Sequence, residues 1–228
     1  MYQLHPGSGS SHRILADMAV KAGRSPVLDV GAAEGYLGRL LQGSGLVIDA
    51  VEPVGKYASM ARPYYRRMYQ ATIEEVRLEE EYRAIVFGDV LEHLVEPAAV
   101  LKRLLEHLGP DGVVLVSVPN IAHLAVRLLL LLGRFPRMDR GPLDRTHLHF
   151  FTRSTAEELL ARSGLTLLEC RSSVAPVADI VRPSWLRPAR MAHRGQLVLV
   201  RAVPGLFTYQ WIFMAERAPD HRSVLEQR

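Results

Sequence analysis

The sequence predicts an α/β fold in which a doubly wound, mostly parallel sheet carries helices on both faces. Three observations lead to this prediction. Short apolar runs without polar alternation, typical of strands buried on both faces, recur along the first half of the chain. Longer helical stretches separate these runs, as expected when helices cover a parallel sheet. The length of 228 residues suits one such domain with an inserted region.

The first half of the chain provides most of the predicted sheet. Each strand follows from a short apolar run, and the runs are 27–30, 46–51, 67–70, 84–88 and 113–118. Helices are predicted around these strands at 12–22, 35–42, 56–68 and 97–108. Gly23 and Gly109 are expected to end the first and the fourth helix. Pro63 is a candidate break in the third helix, and residues 89–94 are expected to form one helical turn.

The character of the chain changes at residue 121. Residues 121–132 are strongly apolar, and residues 133–145 are rich in glycine, proline and arginine. We interpret 121–150 as an insert or lid within a single domain that covers residues 1–228.

The remaining elements complete the domain. A capping box from Ser154 to Glu157 predicts a helix over 154–163. Four further segments follow, namely a strand, an irregular connection, a helix and a final strand with a two-residue period: 165–170, 172–194, 196–203 and 207–216.

The composition excludes several classes of protein. Hydrophobic residues make up 48% of the chain and charged residues 23%, which excludes a mostly disordered protein, a collagen and a coiled coil. The single cysteine, Cys170, excludes an intramolecular disulfide and a cysteine-based zinc site. The first residues lack the order of a signal peptide, and the longest apolar run is too short to span a bilayer. A cytoplasmic location is therefore expected.

The formal charge is +4, and nearly all of the positive charge comes from arginine. That bias is compatible with an anionic substrate but does not by itself indicate nucleic acid, and no nucleic-acid partner is expected. Five arginines crowd one region, where a solvated loop is the simple interpretation and a phosphate-bearing or lipid-linked substrate the alternative: Arg182, Arg187, Arg190, Arg194 and Arg201.

A strand, a glycine turn and a helix follow one another over residues 27–38. Small residues let a ligand approach the backbone, and the start of the helix offers N–H groups without intrahelical partners. The turn lacks two glycines of the dinucleotide fingerprint, and glycine turns also occur without a ligand. Glu52 ends the second strand, where nucleoside-binding sheets hold a ribose, although an acid there can also be merely exposed. Together the turn and the acid favour a nucleoside-containing ligand.

These residues, with 87–94 and the 108–112 lead into the fifth strand, resemble class I S-adenosylmethionine-dependent methyltransferases. Residues 119–120, 133–135 and 144–152 are similar to signatures of the ubiquinone-pathway O-methyltransferases and of bacterial relatives that accompany glycan-assembly enzymes. The resemblance implies a Rossmann-like sheet of seven strands with an antiparallel last strand, and S-adenosylmethionine as the cofactor. In one departure, Ala33 replaces the middle glycine of the family's turn. Cofactor binding is expected to be retained provided that this position needs no positive φ.

The resemblance also assigns contacts with the cofactor. Four residues would wrap its methionine part: Asp29, Gly31, Ala33 and Gly35. Glu52 would hold the ribose, and three residues would surround the adenine: Pro53, Thr72 and Ile73. Three more would close the pocket from the fourth strand: Asp89, Val90 and Leu91.

The spacing of Asp89, Glu92 and His93 places them on one face of a helical turn, at the carboxyl end of a strand. Three interpretations stay open. The two acids form a capping box while His93 merely packs, or His93 serves as a base without a metal. In the third, a divalent cation binds here with His147, as the similar E-x-x-E-H cluster of related methyltransferases implies. The metal is not favoured, because Asp89 is one methylene shorter than that family's first glutamate.

His147 and His149 alternate, and in an extended segment they would share one face. His147 is preferred as the second catalytic residue, because it matches a histidine of the small-RNA 2′-O-methyltransferases. The resulting prediction is O-methylation of a hydroxyl on a small molecule or a glycan, with His93 or His147 as base.

Two alternatives remain for the function. One is a metal-assisted enzyme acting on a vicinal diol, such as an RNA 3′ end or a catechol. The other is a cofactor-binding subunit without catalysis, against which the histidine pair argues.

The apolar helix over 121–132 is interpreted as core, with a substrate lid, a dimer face and a peripheral membrane contact as alternatives. The sequence sets no oligomeric state.

Overall fold

The computed structural model describes residues 9–174, 195 and 198–219. Within them the chain forms a seven-stranded sheet in the order β3-β2-β1-β4-β5-β7-β6. The strands are β1 (Val27–Val30), β2 (Ile48–Val51), β3 (Arg67–Tyr69), β4 (Tyr82–Gly88), β5 (Leu108–Pro119), β6 (Leu165–Ser172) and β7 (Gln210–Arg217). Strands β1 to β5 pair in parallel, and β7 lies between β5 and β6, antiparallel to both. The predicted fold class is confirmed.

Helices connect the strands and cover both faces of the sheet. They are α1 (Ser11–Ala22), α2 (Tyr36–Leu40), α3 (Gly55–Ala61), α4 (Pro97–Leu105), α5 (Leu124–Leu131), α6 (Arg153–Arg162) and α7 (Pro204–Phe207). Short 3-10 turns follow α3 and β4, at Arg62–Tyr64 and Leu91–His93. Residues 198–202 are also helical, in agreement with the helix expected there.

Two apolar clusters hold these layers together. One joins α4 and α6 to the sheet through side chains such as Leu101 and Leu160, and the other joins α1 and α2 through Leu15 and Leu37. Strands β1 and β2 are buried at every residue, which explains why their sequences show no alternation. The carboxyl ends of β1, β2 and β4 therefore meet at one edge of a firmly packed sheet, the edge where sites of α/β proteins lie.

Two predicted helix signals are wrong. Helix α4 ends at Leu105 and β5 begins at Leu108, so Gly109 lies within a strand and ends no helix. The capping box of α6 is formed by Thr152 and Thr155, whose hydroxyls each accept the other residue's backbone N–H, and not by Ser154 with Glu157. The helix accordingly begins at Arg153, one residue before the predicted start.

Two other expectations failed because packing overrides local pattern. The helix predicted over 56–68 ends at Ala61, and Pro63 lies in the 3-10 turn before β3. The two-residue period expected of the last strand is not observed, because all residues from Trp211 to Ala215 are buried. Strand β7 has a neighbour on each side and covered faces, so it needs apolar side chains in both directions.

The region 121–150 contains one helix and irregular connections. In α5 only Val126 is buried, and four leucines within the helix or just past its end are about half exposed or more: Leu128, Leu130, Leu131 and Leu132. The interpretation of this helix as core is therefore wrong. Among the described residues, no helix has both the length and the apolarity needed to cross a bilayer. Residues 175–194, with four of the five clustered arginines, lie outside the described residues.

Candidate active site

The glycine turn follows β1 directly and has a tight geometry. Gly31 and Gly35 have φ of 74° and 81°, in the left-handed region that suits glycine. A Cβ on Gly31 would lie 2.6 Å from Cγ2 of Val90, so the close approach of the residue that precedes the Leu91–His93 turn favours a glycine here. Gly35 is the N-cap of α2, which places the free N–H groups of that helix at the sheet edge.

Ala33 and Glu52 join the glycine turn to the end of β2. Ala33 has a φ of 47°, so this position does adopt a positive φ. The condition under which alanine was expected to replace glycine without cost is therefore not met. Its backbone N–H donates to Oε2 of Glu52 at 2.8 Å, and the N–H of Val54 donates to Oε1 at 2.9 Å. Glu52 is 5% exposed. The carboxylate thus holds the turn in its strained conformation, in addition to any contact with a ribose.

Asp29 lies at the carboxyl end of β1 and is buried. The hydroxyl of Tyr65 donates to its Oδ2 at 2.5 Å. Burial raises the pKa of Asp29 to about 7, against the lowering effect of the Tyr65 hydrogen bond and with a further increase from Glu52. Near neutral pH this carboxyl is therefore poised between its two protonation states.

Asp89 has a φ of 58°, in the left-handed region that residues other than glycine rarely adopt. Its carboxylate accepts hydrogen bonds from the Ser117 hydroxyl at 2.6 Å and from the Gln210 amide at 2.7 Å. The N-cap of the Leu91–His93 turn is Val90, without a side-chain bond. The capping-box interpretation is therefore wrong. Asp89 and His93 nonetheless line one cleft, whereas Glu92 is buried, and the roles expected of the three residues stay predictions.

The glycine turn, α1 and the end of β4 enclose an open cleft. It is lined by His12, Leu15, Asp29, Gly31, Ala32, Ala33, Tyr36, Leu37, Val86, Gly88, Asp89 and His93. The cleft joins predicted cofactor residues to one predicted catalytic residue.

His93 and His147 lie side by side, with ring centroids 4.8 Å apart and planes at 69°. The segment after the insert is fixed to the Leu91–His93 turn, because the N–H groups of Leu148 and His149 both donate to the carbonyl of Glu92. His93 Nδ1 donates to the carbonyl of Thr146 at 3.3 Å. The two imidazoles therefore meet, and the catalytic roles expected of them stay predictions. His93 lines the cleft, whereas His147 is 5% exposed and is not among the residues that line it.

Glu92 is buried next to this pair, and neither of its carboxyl oxygens has a hydrogen-bond partner within the described residues. Burial, and then the charge of Asp89, raise its pKa well above the usual range. Burial, and then His93, lower the pKa of His147. Ligand atoms of Glu92, His93 and His147 all lie within 4.8 Å of one another. Oε1 of Glu92 lies 4.0 Å from Nε2 of His147. A buried carboxylate beside two imidazoles is a donor set that suits a divalent transition metal. Asp89, engaged elsewhere, is not part of it.

Several predicted residues do not face the cleft. Leu91 and Ile73 belong to the apolar core, and Pro53 is exposed. The hydroxyl of Thr72 donates to Glu75. The adenine and pocket contacts expected of them stay predictions. The ring of His149 is hydrogen-bonded through Nε2 to the carbonyl of Val95 and does not share a face with His147. The reason is that residues 144–147 form a turn and not an extended segment.

The sequence reasoning missed other residues of the site. His12 lines the cleft from α1, and Tyr65 reaches Asp29 from a distant turn. Neither carries a recognisable signal, since both are brought in by helix packing. Ser117 did carry a sequence signal. It is the only polar residue in the apolar run 113–118, which suggests that its hydroxyl has a partner.

A parallel sheet closed by an antiparallel last strand, with a glycine turn and an acid at adjacent strand ends, defines the class I S-adenosylmethionine-dependent methyltransferases. Solved structures of such enzymes share the fold. The N1-methyltransferase of 1,6-didemethyltoxoflavin from Burkholderia thailandensis, with bound S-adenosylhomocysteine, is 17% identical with a TM-score of 0.61, over 93% of this chain and 80% of that one. Magnesium protoporphyrin IX methyltransferase from Synechocystis is 16% identical, also with a TM-score of 0.61, over 91% of this chain and 82% of that one.

The chain belongs to the methyltransferase domain family, whose pattern matches residues 11–170. It is similar to the ubiquinone biosynthesis O-methyltransferase of Rickettsia canadensis, at 22% identity over 70% of this chain and 69% of that protein. The enzyme of the same name from Haemophilus ducreyi is 26% identical over 64% of this chain and 65% of that protein. The protein is thus an S-adenosylmethionine-dependent methyltransferase, and S-adenosylmethionine is its cofactor.

Proposed function

We propose that this enzyme transfers the cofactor's methyl group to a hydroxyl of a small molecule or a glycan. The observation that carries the proposal is the pair of imidazoles, His93 and His147, beside the cleft that the glycine turn opens. A hydroxyl needs a base for methylation near neutral pH, and imidazole is matched to that task. The two similar ubiquinone biosynthesis enzymes are named O-methyltransferases, which supports oxygen as the acceptor atom.

The hydrogen bonding of His93 supports it as the base. A carbonyl only accepts, so the bond to Thr146 requires the proton on Nδ1 and leaves Nε2 as the basic nitrogen. The acceptor's O–H proton would pass to Nε2 while the oxygen attacks the methyl carbon. The C–S bond breaks, and its electron pair stays on sulfur as the neutral thioether of S-adenosylhomocysteine. The protein mainly supplies alignment, because the sulfonium is already an activated methyl donor.

The direct test offers the enzyme methyl-labelled cofactor with panels of phenols, catechols, sugars and matching amines. We expect label on oxygen, with His93→Ala lowering turnover by roughly 10²-fold at unchanged S-adenosylhomocysteine affinity. His149→Ala is the matched control, since its ring does not join the pair, and it should retain turnover. Labelling of amines alone, or full turnover by His93→Ala, would overturn the proposal.

A metal-assisted reaction is the second candidate, and the buried carboxylate of Glu92, which has no hydrogen-bond partner within the described residues, favours it. Glu92, His93 and His147 would hold a divalent cation, which supplies a Lewis acid for a hydroxyl of a diol when bound. Dialysis against a chelator separates the candidates. The metal-assisted candidate predicts loss of activity and recovery with Mg²⁺, Mn²⁺ or Zn²⁺, and loss of that recovery in Glu92→Gln. Activity that resists chelation leaves His93 as a base without a metal.

A further inference from the structure

The hydroxyl of Tyr65 links two parts of the cofactor cleft that are distant in sequence. Tyr65 directly follows the Arg62–Tyr64 turn and is buried. Its hydroxyl donates to Asp29 Oδ2 at 2.5 Å and accepts the backbone N–H of Gly38, in α2, at 3.0 Å. One oxygen thus joins the end of β1 to the helix that starts from the glycine turn.

The packing around Tyr65 is built to admit its ring. A Cβ on Gly38 would lie 2.6 Å from Cζ of Tyr65, so the ring occupies space that only glycine leaves open. The Gly38 N–H is in the first turn of α2, whose leading N–H groups have no partner within the helix. Tyr65 therefore satisfies a backbone donor of the helix and a buried carboxylate at the same time.

We propose that Tyr65 is a positioning residue for the cofactor, whose hydroxyl aims Asp29 and the first turn of α2 at the cofactor's amino-acid end. The inference rests on the proposed contact between Asp29 and that end of S-adenosylmethionine. A carboxylate that binds an ammonium group needs a fixed direction and a negative charge. The Tyr65 hydroxyl provides both, because it donates to the charged form from a ring held by packing.

The charge on Asp29 depends on the groups around it. Those that act on it or line the cleft with it are Glu52, Tyr65, His12, Tyr36, Asp89 and His93. Burial and Glu52 favour the protonated acid, and Tyr65 opposes them. Since the pKa of Asp29 is about 7, both its protonated and its charged form are populated at the pH where the enzyme is expected to work. Loss of the hydroxyl should raise this pKa further and neutralise Asp29 at neutral pH.

The experiment measures S-adenosylhomocysteine binding by calorimetry at several pH values for the full chain and for Tyr65→Phe. At pH 7 we expect affinity to fall roughly five- to tenfold, as for loss of a charge-assisted hydrogen bond. The pH at which affinity is half-maximal should move upward, because the carboxylate form is the one that binds the ammonium group. Tyr64→Phe is the control, since that ring is stacked 5.0 Å from the Arg39 guanidinium and not on Asp29. It should bind as the parent does.

Asp29→Asn separates the inference from the assignment on which it rests. This variant should weaken binding and flatten its pH dependence. Tyr65→Phe added to Asp29→Asn should then change affinity less than about twofold, because the two residues act through one contact. If Asp29→Asn binds normally, the Asp29 assignment fails. If Asp29→Asn weakens binding while Tyr65→Phe alters neither affinity nor its pH dependence, the Tyr65 inference fails. Thermal unfolding of each variant shows that it is folded.

Discussion

Glu52 shows how one side chain serves both the turn and the ligand. Its two oxygens accept N–H groups from Ala33 and Val54, so its removal leaves two backbone donors without a partner and the expected ribose contact unmade. We predict that Glu52→Ala lowers S-adenosylhomocysteine affinity tenfold or more in calorimetry. Glu74→Ala, which removes an exposed acid, should have no effect. An unchanged affinity for Glu52→Ala would contradict the ribose assignment.

Ala33 adopts a strained backbone conformation, which the hydrogen bond from its N–H to Glu52 stabilises. A left-handed conformation costs an L-residue roughly 1–2 kcal/mol, and glycine avoids this at an entropic cost of about 0.5–1 kcal/mol. We predict that Ala33→Gly raises the free energy of unfolding by about 0.5–1 kcal/mol in urea denaturation.

Ala32→Gly provides the opposite expectation within the same turn. Ala32 is buried in the apolar cluster and has no positive φ, so glycine there should destabilise the protein. A stabilising Ala32→Gly, or a destabilising Ala33→Gly, would show that backbone conformation does not limit this turn.

The local patterns of the chain predicted elements well where burial is uniform. Strand β1 was predicted to the residue, because an apolar run lies between a proline and a glycine. Strand β7 was found but given the wrong period, since its burial depends on β5 and β6, which lie far away in the sequence. The Asp29–Tyr65 contact joins residues 36 apart and depends on how α3 packs, which no local pattern reports.

Helix α5 presents an apolar face with basic neighbours. Leu130 and Leu131 are 49% and 83% exposed, and exposed arginines stand at 127, 134 and 137. Apolar side chains beside arginines are complementary to an anionic lipid surface, where each basic residue contributes about 1 kcal/mol. We predict that the enzyme sediments with vesicles of phosphatidylglycerol and phosphatidylcholine, and not with phosphatidylcholine alone. The binding should weaken as salt is added.

A matched pair of variants tests this face. Leu130→Glu should lower vesicle binding roughly tenfold or more, by loss of apolar contact and by repulsion from the lipid. Val20→Glu, also at a residue 49% exposed, adds the same charge on α1 and should lower binding far less. Equal effects of both would leave only a general charge effect. Self-association in solution that Leu130→Glu abolishes would instead assign the face to a second copy of the chain.

The whole molecule carries buried acids at its site, and they make its stability depend on pH. The pKa of Asp29 rises from an ordinary 3.8 to about 7 on folding, so between these values the folded state binds more protons than the unfolded state. Stability from this group is therefore present at low pH and is lost as pH rises, by up to about 1.4 kcal/mol per pH unit. Glu92 acts in the same direction. His147, whose pKa is lowered, instead adds to the stability of the folded state as the pH rises toward its ordinary pKa of 6.5.

Comparison with Asp29→Asn isolates the effect of Asp29 from the other groups. We predict that the free energy of unfolding of the cofactor-free parent, relative to that of Asp29→Asn, falls steadily between about pH 4 and pH 7 and then levels off. Urea denaturation at a series of pH values measures both curves. Because Glu92 and His147 titrate in both proteins, their contributions cancel in the difference. Parallel curves would mean that Asp29 keeps an ordinary pKa in the folded protein. They would contradict the conclusion that burial at the end of β1 raises the pKa of this carboxyl.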